Sequence, residues 1–378
     1  MTTTQPLKAV PDLTLLPNAR PAAGQRAVAI WLLSIAALCL AIAVVGAVTR
    51  LTESGLSMVE WKPLLQDVPP VSEAEWQKVF DLYKQSPQYK LVNAGMTLGA
   101  YKDIFWWEWA HRLFAQSIGI VFLVPFLWFF ARGRISRRLA PYLAGLFALG
   151  ALQGLMGWLM VASGLVDRPS VSHYRLAAHL SLDVTIYALT LWTAFYVLRP
   201  RPVPMAPEAM GQSLHRQAIA GLALLGTTMV WGAFTAGLRA GLVYNTFPLM
   251  GGGVAPPDFF ALAPWWANFT ENHGAVQFVH RALAITTGLF LIGLALGLRH
   301  KSIGQELRRA GTALFVVVLL QIGLGIATVV NQVPVWLGAL HQANAILLVG
   351  VLVRALFLLR AAPQPQFRPK LVVTRNAA

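Results

Sequence analysis

The sequence predicts an all-α integral membrane protein whose eight transmembrane helices form two pseudo-symmetric four-helix bundles. Of the 378 residues, 56% are hydrophobic and only 12% are charged, which is about half the charged share of a soluble domain. Apolar runs long enough to cross a bilayer recur along the chain, and the mean hydropathy is +0.58. Polar residues inside these runs repeat between the two halves of the sequence.

Eight apolar runs are expected to span the membrane, since each can cross a hydrocarbon core of about 30 Å as a helix. They cover residues 28–49, 109–130, 139–162, 176–198, 217–237, 275–298, 309–331 and 336–359. The predicted organisation is an N-terminal tail 1–27, a first half 28–199 with a long outer loop 50–108, a linker 200–216, a second half 217–360 and a tail 361–378.

The basic residues predict the orientation of the chain. The net charge is +15, and arginine and lysine concentrate in alternate loops and in the C-terminal tail. By the positive-inside rule, both termini are cytoplasmic, and we expect a multi-pass protein of a bacterial inner membrane in contact with lipid. Because the charge lies in short loops between apolar runs, a nucleic-acid partner is excluded. The single cysteine, Cys39, excludes a disulfide within the chain and a thiolate metal cluster.

The two halves carry matched residues at nearly constant spacing. The offset is 169 residues for the first histidine, 168 for a glutamine and a glycine, and 162 for the second histidine. The matched residues are His111 and His280, Gln153 and Gln321, Gly157 and Gly325, and His179 and His341, and in the first helices Gly46 and Gly232. Because each half has an even number of spans, the copies are expected to be parallel and related by an axis along the membrane normal.

Four histidines lie about one turn into the even-numbered spans, all of which begin at the outer face: His111, His179, His280 and His341. Ionisable residues inside a span are costly and usually functional. Two facing imidazoles in a dry bundle suit the axial ligation of a haem iron. Zinc would need further ligands that the absence of cysteine pairs makes unavailable. A proton relay and simple interhelical hydrogen bonds are the alternatives.

The remaining histidines lie outside the predicted spans. His215 and His300 fall in basic cytoplasmic loops, where solvated side chains are expected, and His173 and His273 fall in outer loops before spans four and six.

One position differs between the halves in a way that suggests chemistry. Glu108 stands three residues before His111, on the same helix face, whereas the matched residue before His280 is Gln277. A carboxylate beside a macrocycle can exchange protons, and an amide cannot. The first half is therefore predicted to be reactive, and the second to transfer electrons or to be structural.

Three arginines accompany the histidines: Arg112, Arg281 and Arg175. Each either extends toward the interface or binds a haem propionate at the outer surface.

A longer set of residues resembles a known family. The outer loop reads Thr49-Arg50-Leu51-Thr52-Glu53-Ser54-Gly55-Leu56-Ser57 and continues through Glu60-Trp61-Lys62-Pro63, and span two opens with Phe105-Trp106-Trp107-Glu108-Trp109-Ala110-His111-Arg112. With Tyr174-Arg175-Leu176-Ala177-Ala178-His179-Leu180, this resembles the haem A synthase family, in its mitochondrial and alphaproteobacterial branch, over residues 30–360.

This resemblance implies a two-step oxidation of a ring methyl of haem O to the formyl group of haem A, for cytochrome oxidase biogenesis. The substrate haem would be bound by His111 and His179 with Glu108 at the reacting edge, and a permanent haem b by His280 and His341. It also implies contact with the farnesyltransferase that makes haem O and with oxidase assembly factors, and it is compatible with a homo-oligomer.

The sequence departs from part of the family, and two rival functions compete with it. The first outer loop lacks the cysteine pair of some bacterial members, and His173 stands where a proline is expected. One rival is a di-haem b-type membrane electron carrier, similar to a quinol dehydrogenase subunit. The other is a transporter, which predicts broken helices at the bilayer midplane, whereas the polar residues here lie at the outer edge.

Overall fold

The computed structural model describes residues 23–60, 68–165, 169–200, 202–203 and 205–360. Every regular element in these ranges is helical. The α-helices are α1 (Ala23–Leu51), α2 (Glu73–Tyr83), α3 (Pro87–Leu91), α4 (Leu98–Ala131), α5 (Ala140–Gly164), α6 (His173–Leu198), α7 (Glu208–Gly237), α8 (His273–Leu298), α9 (Gln305–Val330) and α10 (Val335–Leu359). Short 3-10 turns occur at Ala240–Leu242 and Trp265–Phe269.

Eight of the described helices are long and apolar enough to cross a membrane: α1 and α4 to α10. This confirms the predicted all-α class and the predicted number of spans. The tail 361–378 and most of the tail 1–27 lie outside the described residues, as do Trp61, Lys62 and Pro63 of the outer loop.

Several helices begin earlier than their apolar runs. α4 begins at Leu98 instead of residue 109, and α7 begins at Glu208 instead of residue 217. The N-terminus of α4 is capped by Thr97, whose hydroxyl accepts a hydrogen bond from the backbone of Ala100 at 3.3 Å. The end of the predicted loop 50–108 and part of the predicted linker 200–216 are therefore helical. Hydropathy detects the stretch inside the bilayer and not the turns that extend beyond it.

The outer segment between α1 and α4 has a small core of its own. Ser72 and Glu75 form a capping box at the start of α2, and backbone hydrogen bonds from Val71 and Ser72 lower the pKa of Glu75. Behind this cap, α2 and α3 pack aromatic side chains against the first turns of α4, with Trp76 and Phe105 in edge-to-face contact at 4.9 Å. This packing holds the outer segment against the outer end of α4 in the first half.

The membrane helices contact each other in the same order in both halves. In the first half, α1, α4, α5 and α6 form a closed ring, and α7, α8, α9 and α10 form the corresponding ring in the second. The halves meet through α1 with α10, α6 with α7, and α6 with α10. These contacts are those expected for two related bundles, and the rotational relation between them stays a prediction.

The outer ends of α1 and α7 are joined by polar contacts. Arg50 donates a hydrogen bond to the carbonyl of Ala236 at 3.0 Å, and Arg239 pairs with Glu53 at 2.7 Å. Both Glu53 and Arg239 adopt left-handed backbone conformations, with φ of 57° and 53°. The two helices therefore end in the same local geometry.

Candidate functional site: two pairs of membrane histidines

Each of the four predicted ligand histidines lies on a different helix: His111 on α4, His179 on α6, His280 on α8 and His341 on α10. All four imidazoles lie deep within the protein and yet retain accessible surface, as side chains that line a binding pocket do. Within each half, the two imidazoles are near enough to interact electrostatically. They come in pairs: among the residues described, no group of three or more histidine, cysteine or acidic side chains is placed to hold a metal ion.

Every one of these imidazoles packs against a glycine of the neighbouring helix. A Cβ atom at Gly46 would lie 3.2 Å from the ring of His111, and one at Gly157 would lie 3.2 Å from the ring of His179. The same contact recurs in the second half, where the separations are 3.0 Å for Gly232 and His280 and 2.9 Å for Gly325 and His341. Because real Cβ contacts are rarely this short, the glycines make the space that each ring occupies.

Hydrogen bonds hold the imidazoles of the second half. Nδ1 of His280 lies 3.1 Å from the carbonyl oxygen of Thr228, which leaves its Nε2 for another partner. The side-chain nitrogen of Gln321 lies 3.2 Å from Nδ1 of His341, and Gln321 Oε1 accepts a hydrogen bond from Asn344 at 2.7 Å. The contact of His280 is of the kind that orients metal-binding histidines, in which one ring N–H is donated to a carbonyl. The amide nitrogen of Gln321 can only donate, and it also lies 3.4 Å from Nε2 of His341.

The imidazoles of the first half are held less firmly. The side-chain nitrogen of Gln153 lies 3.5 Å from Nε2 of His179, and Nδ1 of His179 is buried with no hydrogen-bond partner. No hydrogen bond joins His111 to another described residue. A buried ring nitrogen without a partner is rare and calls for an additional group.

This donor set fits haem. Two imidazole nitrogens from separate helices, with each ring packed against a glycine, would hold the iron of a flat macrocycle. Each half of the protein contains one such pair, and the unpartnered nitrogen of His179 is consistent with a site completed by a bound group.

Glu108 lies at the outer end of the first pair and binds the outer segment. Its carboxylate is buried, and one oxygen accepts hydrogen bonds from the hydroxyl of Ser57 at 2.7 Å and the backbone of Met58 at 2.8 Å. The other oxygen accepts from Arg112 at 2.5 Å. Arg112 also donates to the carbonyls of Met58 and Glu60, at 3.0 and 3.1 Å. The Glu108–Arg112 pair thus fastens the segment that follows α1 to α4.

The second half has the same arrangement without the carboxylate. Gln277 and Arg281 both donate to the carbonyl of Tyr244, at 3.1 and 2.7 Å, and Arg281 also donates to that of Thr246 at 2.8 Å. The hydroxyl of Tyr244 donates to Asp258 at 2.6 Å, and this bond raises the pKa of Tyr244. Each half therefore fastens its outer segment with residues three before and one after its first histidine.

The other predicted polar residues take various positions. Arg175 is exposed and donates a hydrogen bond to the carbonyl of Leu159 on α5. His173 and His273 are the first residues of α6 and α8, so their predicted placement in loops was wrong, by three and two residues respectively. His173 is buried, with its Nε2 3.6 Å from a carboxylate oxygen of Glu271 in the second half.

His215 and His300 also differ from each other in position. His215 lies within α7 and not in a loop, which corrects the prediction, while His300 lies just after α8, in the connection to α9.

Two kinds of residue near the histidine pairs were not predicted from the sequence. Ser57, Met58 and the carbonyl of Thr228 act through contacts that no sequence pattern reveals. Asp183 is different, because an aspartate inside the predicted span 176–198 is itself a signal. The sequence shows the matched glycines as part of the repeat, but it does not predict their contact with the histidines.

Fold and site together define a class of protein, a multi-pass membrane protein with one pair of interior histidines in each of two four-helix rings. Residues 29–353 match the model of the cytochrome oxidase assembly protein family, and the chain belongs to that family.

Its relatives carry a more specific name, heme A synthase. The chain is 49% identical to the protein of that name from Rhodospirillum centenum, over 94% of this chain and 95% of the relative. It is 48% identical to that of Nitrosospira multiformis over 86% and 91%, and 46% identical to that of Parvibaculum lavamentivorans over 88% and 94% of the two chains.

Proposed function

We propose that this protein is a haem A synthase, which oxidises a ring methyl of haem O to the formyl group of haem A in two steps. The observation that carries this proposal is that two matched histidine pairs exist and that only the first has a carboxylate, Glu108, three residues before its first histidine. Relatives covering nearly the whole chain are named for the same activity.

In this proposal the first half binds the substrate. His111 and His179 hold the iron of haem O between α4 and α6, and Gly46 and Gly157 keep room for their rings. Glu108, fixed by Ser57 and Arg112, takes up a proton released in the oxidation, while the electrons and the inserted oxygen are exchanged with an oxidant and an oxygen source from outside the chain. The amide of Gln277 cannot do this, so the second half is not a second reaction site.

The second half has the residues to hold a resident haem b. His280 and His341 would hold its iron, with the carbonyl of Thr228 fixing the ring of His280 and the amide of Gln321 packed beside the ring of His341. When bound, such a haem supplies one-electron transfer. The chain's own contribution is to fix both imidazoles.

Three arginines are proposed to bind haem propionates: Arg112, Arg281 and Arg175. Each donates to a backbone carbonyl, and a guanidinium in the outer part of its helix is suited to pair with a propionate at the interface.

The setting of the reaction follows from the charge pattern. We propose a bacterial inner membrane, with both termini cytoplasmic and the histidine pairs near the outer leaflet. Haem O would come from the farnesyltransferase that makes it, and haem A would pass to oxidase assembly factors, with the protein itself compatible with a homo-oligomer.

One preparation tests the proposal against its rivals. The protein is purified, reduced-minus-oxidised spectra are recorded, and the bound haem is extracted and separated by chromatography. Haem b together with haem O or haem A is the expected result. Two equivalents of haem b alone would favour the di-haem electron carrier, and no bound haem would favour the transporter.

A further inference from the structure

Asp183 is a buried acid in the first half that the proposed reaction does not use. It lies on α6, four residues after His179, and its side chain is only 8% exposed. No hydrogen bond or ion pair joins it to any residue the structure describes. Polar groups buried in an apolar interior are nearly always hydrogen-bonded, because an unmade bond costs about 1–3 kcal/mol.

Its position places Asp183 beside the first histidine pair. Four residues are about one helical turn, so the carboxyl group lies on nearly the same face of α6 as His179 and about 6 Å deeper in the membrane. The thiol of Cys39 on α1, the helix that also carries Gly46, lies within electrostatic reach of it. A thiol is only a weak hydrogen-bond donor and does not satisfy a carboxyl group.

The second half has no such group. At the offset that relates His179 to His341, the position of Asp183 corresponds to Ala345, which is also 8% exposed. A buried acid thus stands one turn below the second histidine in the first half, and a methyl group stands there in the second half.

We propose that Asp183 binds the hydroxyl group on the farnesylated side chain of haem O and so selects haem O over haem b in the first half. This inference rests on the proposed function. Adding a farnesyl group to a vinyl group of haem b leaves a hydroxyl at the edge of the macrocycle, where haem b has only hydrocarbon. A hydroxyl both donates and accepts, so it can pair with the carboxyl group in either protonation state. Ala345 offers no such partner and suits haem b.

The test compares haem preferences in the full-length protein with its second site filled. Wild type, Asp183→Ala and Asp183→Asn are placed in lipid nanodiscs, and haem O and haem b compete for the first site, with bound haem identified by chromatography. The control is Thr185→Ala, which changes an exposed residue of the same helix.

Wild type and Thr185→Ala should prefer haem O. Asp183→Ala should lose about tenfold of that preference, the loss expected for one buried hydrogen bond, through weaker binding of haem O with unchanged binding of haem b. Asp183→Asn, which still hydrogen-bonds, should keep most of it. Undiminished preference in Asp183→Ala overturns the selection role alone, whereas failure of the wild type to bind haem O overturns the proposed function itself.

A second measurement covers a failure of Asp183→Ala to fold. Infrared difference spectra of the wild type should show a carboxyl band that shifts when haem O is added but not when haem b is added. Asp183→Asn should lack this band. A wild-type spectrum without a shift specific to haem O, or a shift that persists in Asp183→Asn, would refute the assignment.

Discussion

The two histidine pairs share one architecture and differ in how firmly their rings are held. In the second half, His280 is bound to the carbonyl of Thr228 and His341 to Gln321, at 3.1 and 3.2 Å. In the first half, the nearest approach of Gln153 to His179 is 3.5 Å, and Nδ1 of His179 has no partner. Rings held in advance suit a group that stays, and looser rings suit one that is exchanged at each turnover.

The polar contacts that hold the outer segments differ in charge between the two halves. Glu108 and Arg112 form a buried ion pair that also binds the segment after α1, and Gln277 and Arg281 make the equivalent contacts without a carboxylate. The two halves thus share the arrangement of these contacts, but only the first has a titratable side chain, Glu108, at the matched position. The comparison teaches that the charge of Glu108 is not needed to fasten an outer segment, which leaves it free to serve a reaction.

The largest effect is expected from removing one ligand of each pair. His341→Ala should remove the resident haem and halve the haem content, since one axial ligand and its hydrogen bond to Gln321 are lost. His179→Ala should leave that haem in place and eliminate bound haem O and haem A. Reduced-minus-oxidised spectra and haem extraction measure both. Loss of the same haem in both variants would contradict the division between the halves.

Exchanging the acid and the amide should be the next largest change. Glu108→Gln should preserve haem binding and lower the rate of haem A formation by about 100-fold or more, the range of general acid–base catalysis. The reciprocal variant Gln277→Glu is the control and should leave that rate nearly unchanged. Chromatography of the haems formed gives the rates, and full activity of Glu108→Gln would remove Glu108 from the mechanism.

Filling the glycine slots should weaken haem binding by a smaller amount. Gly325→Ala places a Cβ 2.9 Å from His341, and the forced shift of the ring should cost about 1–3 kcal/mol of overpacking. The control, Gly323→Ala, lies two residues before Gly325 on α9, where a Cβ meets nothing within 4 Å, and should have no effect. The haem b retained after dilution in detergent measures the difference. Equal losses in the two variants would show that the space beside Gly325 does not determine haem binding.

The smallest effect should come from the glutamines. Gln321→Ala should lower the affinity for the resident haem by about tenfold, because the ring of His341 loses an orienting hydrogen bond. Gln153→Ala should change the affinity of the first site by less, since its contact with His179 is 3.5 Å long. Haem titration of the two variants measures both affinities. A larger loss of affinity in Gln153→Ala than in Gln321→Ala would contradict the prediction.

Some of the fold follows from local sequence, and some does not. Each apolar run alone specifies a span, so the number of spans was correct. The starts of α4 and α7 were placed too late, because their first turns are polar or aromatic and therefore lie outside the apolar runs. At α4 these turns are stabilised by the Thr97 cap and by packing on α2. His173 was assigned to a loop for the same reason, although it opens α6 and packs against Gly237 of α7.

The candidate site shows the same division. The repeat of histidines and glycines along the chain was sufficient to pick out His111, His179, His280 and His341, because a charged or polar residue in a span is costly and therefore informative. Neither the contact of each histidine with a glycine nor the fastening of Ser57 and Met58 by Glu108 follows from spacing, since both join different helices or loops.

The sequence by itself determined that this is an eight-span membrane protein with a duplicated set of histidines and an unmatched carboxylate, Glu108, before the first of them. Bilayer thickness and the cost of burying polar groups act on each segment separately, so the sequence of each segment is enough. Only the tertiary structure decided which helices adjoin, which ring nitrogens are bonded and which are not, and that Asp183 is buried without a partner. Those properties depend on packing between distant segments, where distances of a few ångströms decide whether a bond forms.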